Sequence, residues 1–278
     1  MREIKISNCN KGLLGNFAKQ MMSVDKFLTI KIEDDNTTAL GYFPSHDVVK
    51  LYGVKNENFF EGIDAHDKPI RISIPNAVDV LNILKYYPVD GVDMILEVYD
   101  ENPSADELYT NRVVFRCETE NESFEISLVC ADKSFSDKVT DPISASVLER
   151  LFDTSNKLCS FAIDSAKMRT IKSFSNIDKT NRSFGYVVSD NGDVNIIEKR
   201  MYDDSDIPSD IYRMLLMKDV EGVSENHSYM CNKNIFNTMQ DSNWSVDLCP
   251  DDTKVIYNCE NEETGEKVGI VGVINETL

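Results

Sequence analysis

Apolar and polar residues alternate along most of this chain in short runs, and a helical periodicity interrupts the alternation four times. In FLTIKI (27–32), Leu28, Ile30 and Ile32 share one face, and Phe27, Thr29 and Lys31 share the other. That is the signature of a strand with one face on a core. FEISLVC (124–130) and KVIYNC (254–259) alternate less cleanly but are rich in β-formers. Between such runs, Leu14, Phe17, Ala18 and Met21 form a single apolar stripe at helical spacing. Val80, Ile83, Leu84 and Tyr87 form a second, and Met168, Ile171 and Phe174 a third. A helix with one apolar stripe lies on a sheet by that face and leaves the other free.

Aligned end to end, these elements make one unit that recurs four times: a strand, a helix, then three strands. The strands IKIS, FLTIKI, TALGYF and VVKLYG flank a helix over 10–22, and IRISI, DMILEVYD, RVVFRCE and FEISLVC flank one over 76–87. LCSFAI, FGYVVS, VNIIEK and IYRMLLM flank a helix over 165–177. SYMC, WSVDLC, KVIYNC and KVGIVGVI flank one over 232–242. Caps mark the helix starts: Asn8 or Asn10, Asp164 and Asn232, with Pro75 suited to the first turn of the second helix. Asn191-Gly192 predicts a type I′ hairpin turn, and Glu263-Thr264-Gly265-Glu266 a longer one. Residues 133–157 break the pattern and contain Pro142, so they read as a connector, with VLERLFD (147–153) as a short element on it. The expected organisation is an α+β chain with domains at 1–132 and 158–278. Each domain holds two β-α-β-β-β units, with helices on one face of antiparallel sheets.

Charge adds a second pattern. The chain of 278 residues has a net charge of −19, with 29 Lys and Arg against 48 Asp and Glu. Such a balance argues against phosphate binding unless the cations are gathered on one surface. The helices show such a bias: the four helical windows carry Lys11, Lys19, Lys85, Lys167, Arg169, Lys172 and Lys233 but only Asp79 and Asp241 as acids. On the helical wheel Lys19 and Lys85 lie opposite the apolar stripes, and Arg169 and Lys172 share a face away from the third. Lys167 falls nearer its apolar side. The fourth helix turns outward mostly Asn234, Asn237 and Gln240, with Lys233 at the edge. Lysines on a solvated helix face are ordinary one by one. The repeated placement, with acids removed, is not.

Chemistry is otherwise sparse. No GxxxxGK[ST] occurs, and His46, His66 and His227 stand alone. Asp203, Asp204 and Asp206 have donors for a divalent ion, but an acidic loop is usually just solvent-facing. Neither a metal nor a cofactor is expected, nor an enzymatic activity. Seven cysteines without a CxxC pair, and no secretory leader, read as a reduced intracellular protein. No stretch approaches a membrane span.

LLGNFAKQMMSVDKFLTIKIEDDNTTALGYF (13–43), SFAIDSAKMRTIKSFSNI (160–177) and the C-terminal unit from SYMC to GIVGVI (228–274) resemble DNA polymerase sliding clamps. The likeness is to the two-domain trimeric type, typified by the clamp of T-even bacteriophages and by proliferating cell nuclear antigen. The resemblance implies a DNA clamp fold and a homotrimeric ring around double-stranded DNA, gripped without regard to sequence. It further implies a DNA polymerase and a clamp loader as partners, and a bacteriophage origin with the host cytoplasm as location. It places Lys11, Lys19, Lys85, Lys167, Arg169, Lys172 and Lys233 on the DNA-facing lining, and a partner's apolar peptide near the connector 133–157. Extra length at 54–69, 101–111, 133–157 and 200–210 departs from the bacteriophage pattern. An acidic DNA-mimic inhibitor and a β-rich virion subunit remain as alternatives. The first requires carboxylates on the helices, where they are scarce, and the second requires no interaction with DNA.

Overall fold

Each alternating run forms a strand, and the strand pairing of the first half recurs in the second. The computed structural model describes residues 2–99, 106–118, 123–133, 145–177, 183–200 and 209–276. They form two units. The first comprises 1–44, 50–145 and 260–268, and the second 45–49, 146–259 and 269–278.

In the first unit β1 (Arg2–Asn10), β7 (Gly91–Tyr99), β8 (Leu108–Glu118) and β9 (Ser123–Val129) pair antiparallel in that order. β2 (Leu28–Ile32) pairs antiparallel with both β3 (Asn36–Tyr42) and β6 (Ile70–Ile74). β6 meets β8 in a short parallel pairing at Ile70 and Leu108. β4 spans Val48–Lys55 and is followed by a single turn, α2 (Asn56–Phe59), and by β5 (Gly62–Ile63). These last two occupy the added length at 54–69. Phe59 anchors them, fully buried against Phe17 at 5.2 Å between ring centroids.

The helices follow from caps and stripes. α1 (Lys11–Met22) begins at Asn10, whose side chain accepts from the Leu13 amide at 3.1 Å. Its predicted stripe, Leu14, Phe17, Ala18 and Met21, is buried. At roughly 1.5–3 kcal/mol per fully buried large apolar side chain, that stripe and not helix propensity holds α1 in place. α3 (Ala77–Leu84) is capped by Asn76, with Pro75 one residue before the cap and not in the first turn. The helix stops three residues short of the expected Tyr87, because Pro88 disfavours helical geometry just before it. Tyr87 still buries its ring, and its hydroxyl donates to the Phe115 carbonyl at 2.6 Å. α1 and α3 lie side by side, with Gly15 facing the ends of Leu81 and Leu84.

The second unit repeats this plan. α4 (Ala145–Phe152) lies where VLERLFD was read as a short element. β10 (Cys159–Ile163) pairs with β15 (Trp244–Cys249) as β1 does with β7, and β15 continues to β16 (Lys254–Asn261). β11 (Ser183–Val188) pairs with β14 (His227–Asn232) as β2 does with β6. β11 also pairs with β12 (Val194–Arg200), and β12 with β13 (Ser209–Met217). The end of β17 (Glu266–Glu276) lies against β14, with Ile274 opposite Cys231. α5 (Ser165–Ser175) is capped by Asp164, whose carboxylate accepts from the Lys167 amide at 2.7 Å. Met168 and Ile171 of its stripe are buried.

Two expectations fail here for local reasons. The fourth helix is one turn, α6 (Ile235–Thr238). β14 runs on through Asn232, and Met239 is already extended, at φ −88° and ψ 148°. Asn, Thr and Asp are weak helix formers, and nothing in 232–242 outweighs them. The Asn191-Gly192 turn is not type I′, which needs positive φ at both residues. Only Gly192 has it, at +82°. Its amide donates to the Ser189 carbonyl at 2.8 Å, which makes a three-residue loop closed by a glycine bulge. A Cβ on Gly192 would sit 2.6 Å from the Val220 carbonyl oxygen. Gly192→Ala is expected to cost at least about 1–2 kcal/mol for the left-handed backbone alone. A lowered urea midpoint at unchanged m-value checks it.

All seven cysteines are free thiols, six of them buried. No helix among the described residues is long and apolar enough to cross a membrane. Asp203, Asp204 and Asp206 lie outside the described residues.

Candidate functional site

With the apolar stripes of α1, α3 and α5 turned to the core, one face of each helix is left for solvent. On α1 that face holds Gly12, Asn16 and Lys19, on α3 Val78, Asn82 and Lys85, and on α5 Ala166, Arg169 and Ser173. Lys19, Lys85 and Arg169 are exposed, and the Lys85 ammonium donates to Asn82 of its own helix, at 2.9 Å. Lys19 and Lys85 stand at the C-terminal ends of their helices, where the helix dipole favours a cation. Each helix therefore offers one exposed positive charge. The acids of these windows are engaged: Asp79 sits in the first turn of α3, within 3.4 Å of the Asn76 amide group. Asp241 pairs with Lys172 at 2.6 Å.

The other four cations of the predicted lining are placed differently. Lys11 begins α1, and its half-buried ammonium donates to the Tyr87 carbonyl. Lys167 donates to the Leu216 carbonyl at 2.6 Å, on the inner side of α5. Lys172 donates to the Met239 carbonyl at 2.7 Å and to Asp241, and this last hydrogen bond holds the Asp241 carboxyl below the usual carboxylate range. Arg169 adds to the same field.

Lys233 is a correction. Its side chain is buried, 6% exposed, and pairs with the fully buried Glu198 at 2.7 Å. It cannot meet a phosphate. The truncation of the fourth helix explains this. Lys233 follows directly on β14 and its side chain turns inward to the core face, so the helical wheel drawn for 232–242 does not apply to it. Asn234, Asn237 and Gln240 are exposed as expected.

A cavity of about 600 Å³ opens in the second unit, lined by Lys157, Leu158, His227, Tyr229, Pro250 and Ile274 among others. Tyr229 is buried with His227 stacked on it at 5.8 Å between centroids. Leu158, Tyr229, Pro250 and Ile274 give the cavity an apolar wall, and Lys157, His227 and Asp251 give it a polar rim. No run of sequence announced it, since separate stretches of the chain contribute to it. It adjoins the end of the segment read as a connector.

No protein-family model matches the chain, and no curated protein matches it. Solved structures do. The crystal structure of proliferating cellular nuclear antigen from Entamoeba histolytica superposes with a TM-score of 0.64 at 14% identity, covering 98% of both chains. The A. fulgidus nuclear antigen, in its structure with the C-terminal region of FEN-1 bound, does so with a TM-score of 0.62 at 12% identity and 99% coverage of each. These likenesses establish the fold: the chain has the α+β sliding-clamp fold in both of its halves.

Proposed function

We propose that this chain is the subunit of a sliding clamp, a non-enzymatic homotrimeric ring. The ring encircles double-stranded DNA without regard to sequence and tethers a DNA polymerase after a clamp loader has placed it. One observation carries the reading: the clamp fold spans 98% of the chain, and α1, α3 and α5 each present a cation to solvent, with Asp79 as the sole acid within them. Physics supports the pairing of those two features. A ring needs no tight grip to stay on DNA, because retention comes from closure. Lys19, Lys85 and Arg169 on flexible stems supply a shallow attraction that does not stall sliding. The excess of acids elsewhere, which sets the net charge at −19, repels DNA from the wrong surface.

In this reading Lys11, Lys167 and Lys172 belong to the lining only through their side-chain stems, their ammonium groups being held by carbonyls and Asp241. The A. fulgidus protein carries the C-terminal region of FEN-1. By analogy we assign the cavity beside Leu158 and Tyr229 to an apolar segment of a partner protein. Free, buried thiols suit a reducing interior.

The test has two parts. Light scattering should give about 95 kDa, three times the 31.5 kDa subunit. The loaded protein should be retained on nicked circular DNA and released when the circle is cut. A monomer, or retention indifferent to cutting, refutes the ring.

A further inference from the structure

The core face of the second unit contains a polar cluster that its protein partners do not satisfy. Glu198 on β12 is fully buried; its Oε1 accepts from the Lys233 ammonium at 2.7 Å, while Oε2 has no partner among the described residues. Tyr212 on β13 lies directly opposite Glu198 in the strand register, on the same face. It is 9% exposed, and among the described residues its hydroxyl has no partner either. The two groups are close enough that the Glu198 charge, after burial, helps raise the Tyr212 hydroxyl well above the ordinary tyrosine range. The surroundings are aromatic. Phe174 of α5 lies against the Tyr212 ring at 4.8 Å, and Phe184 of β11 packs on Phe236 of α6 at 4.3 Å.

Two unpaired polar atoms, buried and on one face, are costly unless something joins them. A direct bond between them is not formed. A water bonded to both needs only the two to four polar partners that interior waters ordinarily have. The geometry points to a hydration site in the interior of the second unit: one ordered water donates to Glu198 Oε2 and accepts from the Tyr212 hydroxyl. The result is a continuous buried chain, Lys233 to Glu198 to water to Tyr212. This chain ties the end of β14 to β12 and β13 and, through the Tyr212 ring, to α5. It fixes the seat of the helix that carries Arg169, and it does not depend on whether the protein forms a ring.

A crystal structure at a resolution that shows ordered solvent tests it. The expected result is one water within about 3 Å of both Glu198 Oε2 and the Tyr212 hydroxyl oxygen. An empty site, or Tyr212 bonded directly to Glu198 or to another residue, overturns it. A second measurement is independent of the lattice. Water magnetic relaxation dispersion on the full chain should lose one long-lived internal water in Tyr212→Phe, whose isosteric ring keeps the packing on Phe174. An unchanged count in the folded variant also overturns it.

Discussion

The triple variant Lys19→Glu, Lys85→Glu, Arg169→Glu is expected to fold and assemble like the parent protein but to lose the proposed retention on DNA. The three side chains are exposed and fill no core position, and surface changes of this kind usually leave stability nearly intact. In the proposed trimer the change reverses nine charges assigned to the DNA-facing lining. Removing one phosphate-binding cation lowers the salt dependence of binding by about 0.9 in log–log slope. Three such removals per subunit, each replaced by a repelling carboxylate, should therefore abolish both the salt-dependent attraction and polymerase stimulation. The measurement is product length on primed circular templates, with circular dichroism and scattering mass as controls. Undiminished product length with correct mass removes these helices from any DNA-facing role. Lys172→Glu would be a poorer probe, because Asp241 already neutralises that ammonium.

Lys233→Met should be the most damaging of the charge-removing substitutions, although the helical wheel placed Lys233 at the edge of an outward face. The fully buried Glu198 would lose the ammonium that pairs its Oε1. Breaking a buried ion pair by removing one partner typically costs about 3–5 kcal/mol. Urea unfolding should show that loss. Removing both charges in Lys233→Met with Glu198→Leu should recover most or all of the loss. If the single variant costs no more than Lys19→Met does, the ion pair contributes nothing and its placement in the core is irrelevant to stability.

The contrast between Lys19 and Lys233 measures how much was legible in the chain. Lys19 lies in the last turn of a capped helix, opposite a stripe whose four members are all buried. The wheel is valid there because α1 is a continuous helix through that residue. The same reasoning applied to Lys233 assumed a helix that exists for only one turn. Its true direction depends on β14 running on to Asn232 and on Glu198, thirty-five residues earlier, waiting on the same face. A similar limit applies to Lys167 and Lys11, whose ammonium groups end on carbonyls of distant segments, Leu216 and Tyr87. The cavity at Leu158 and Tyr229 was invisible for the same reason.

Local periodicity alone determined the fourfold unit, nearly every strand, three of four helices and the caps of α1 and α5, because those depend on neighbours within a few residues. The residues that carry cations were also set by the chain. The tertiary structure decided which of those cations are free. A lysine stem is long and its ammonium seeks any acceptor within reach, so exposure follows from what other segments bring beside it. Three found solvent, three found carbonyls and one found a buried carboxylate.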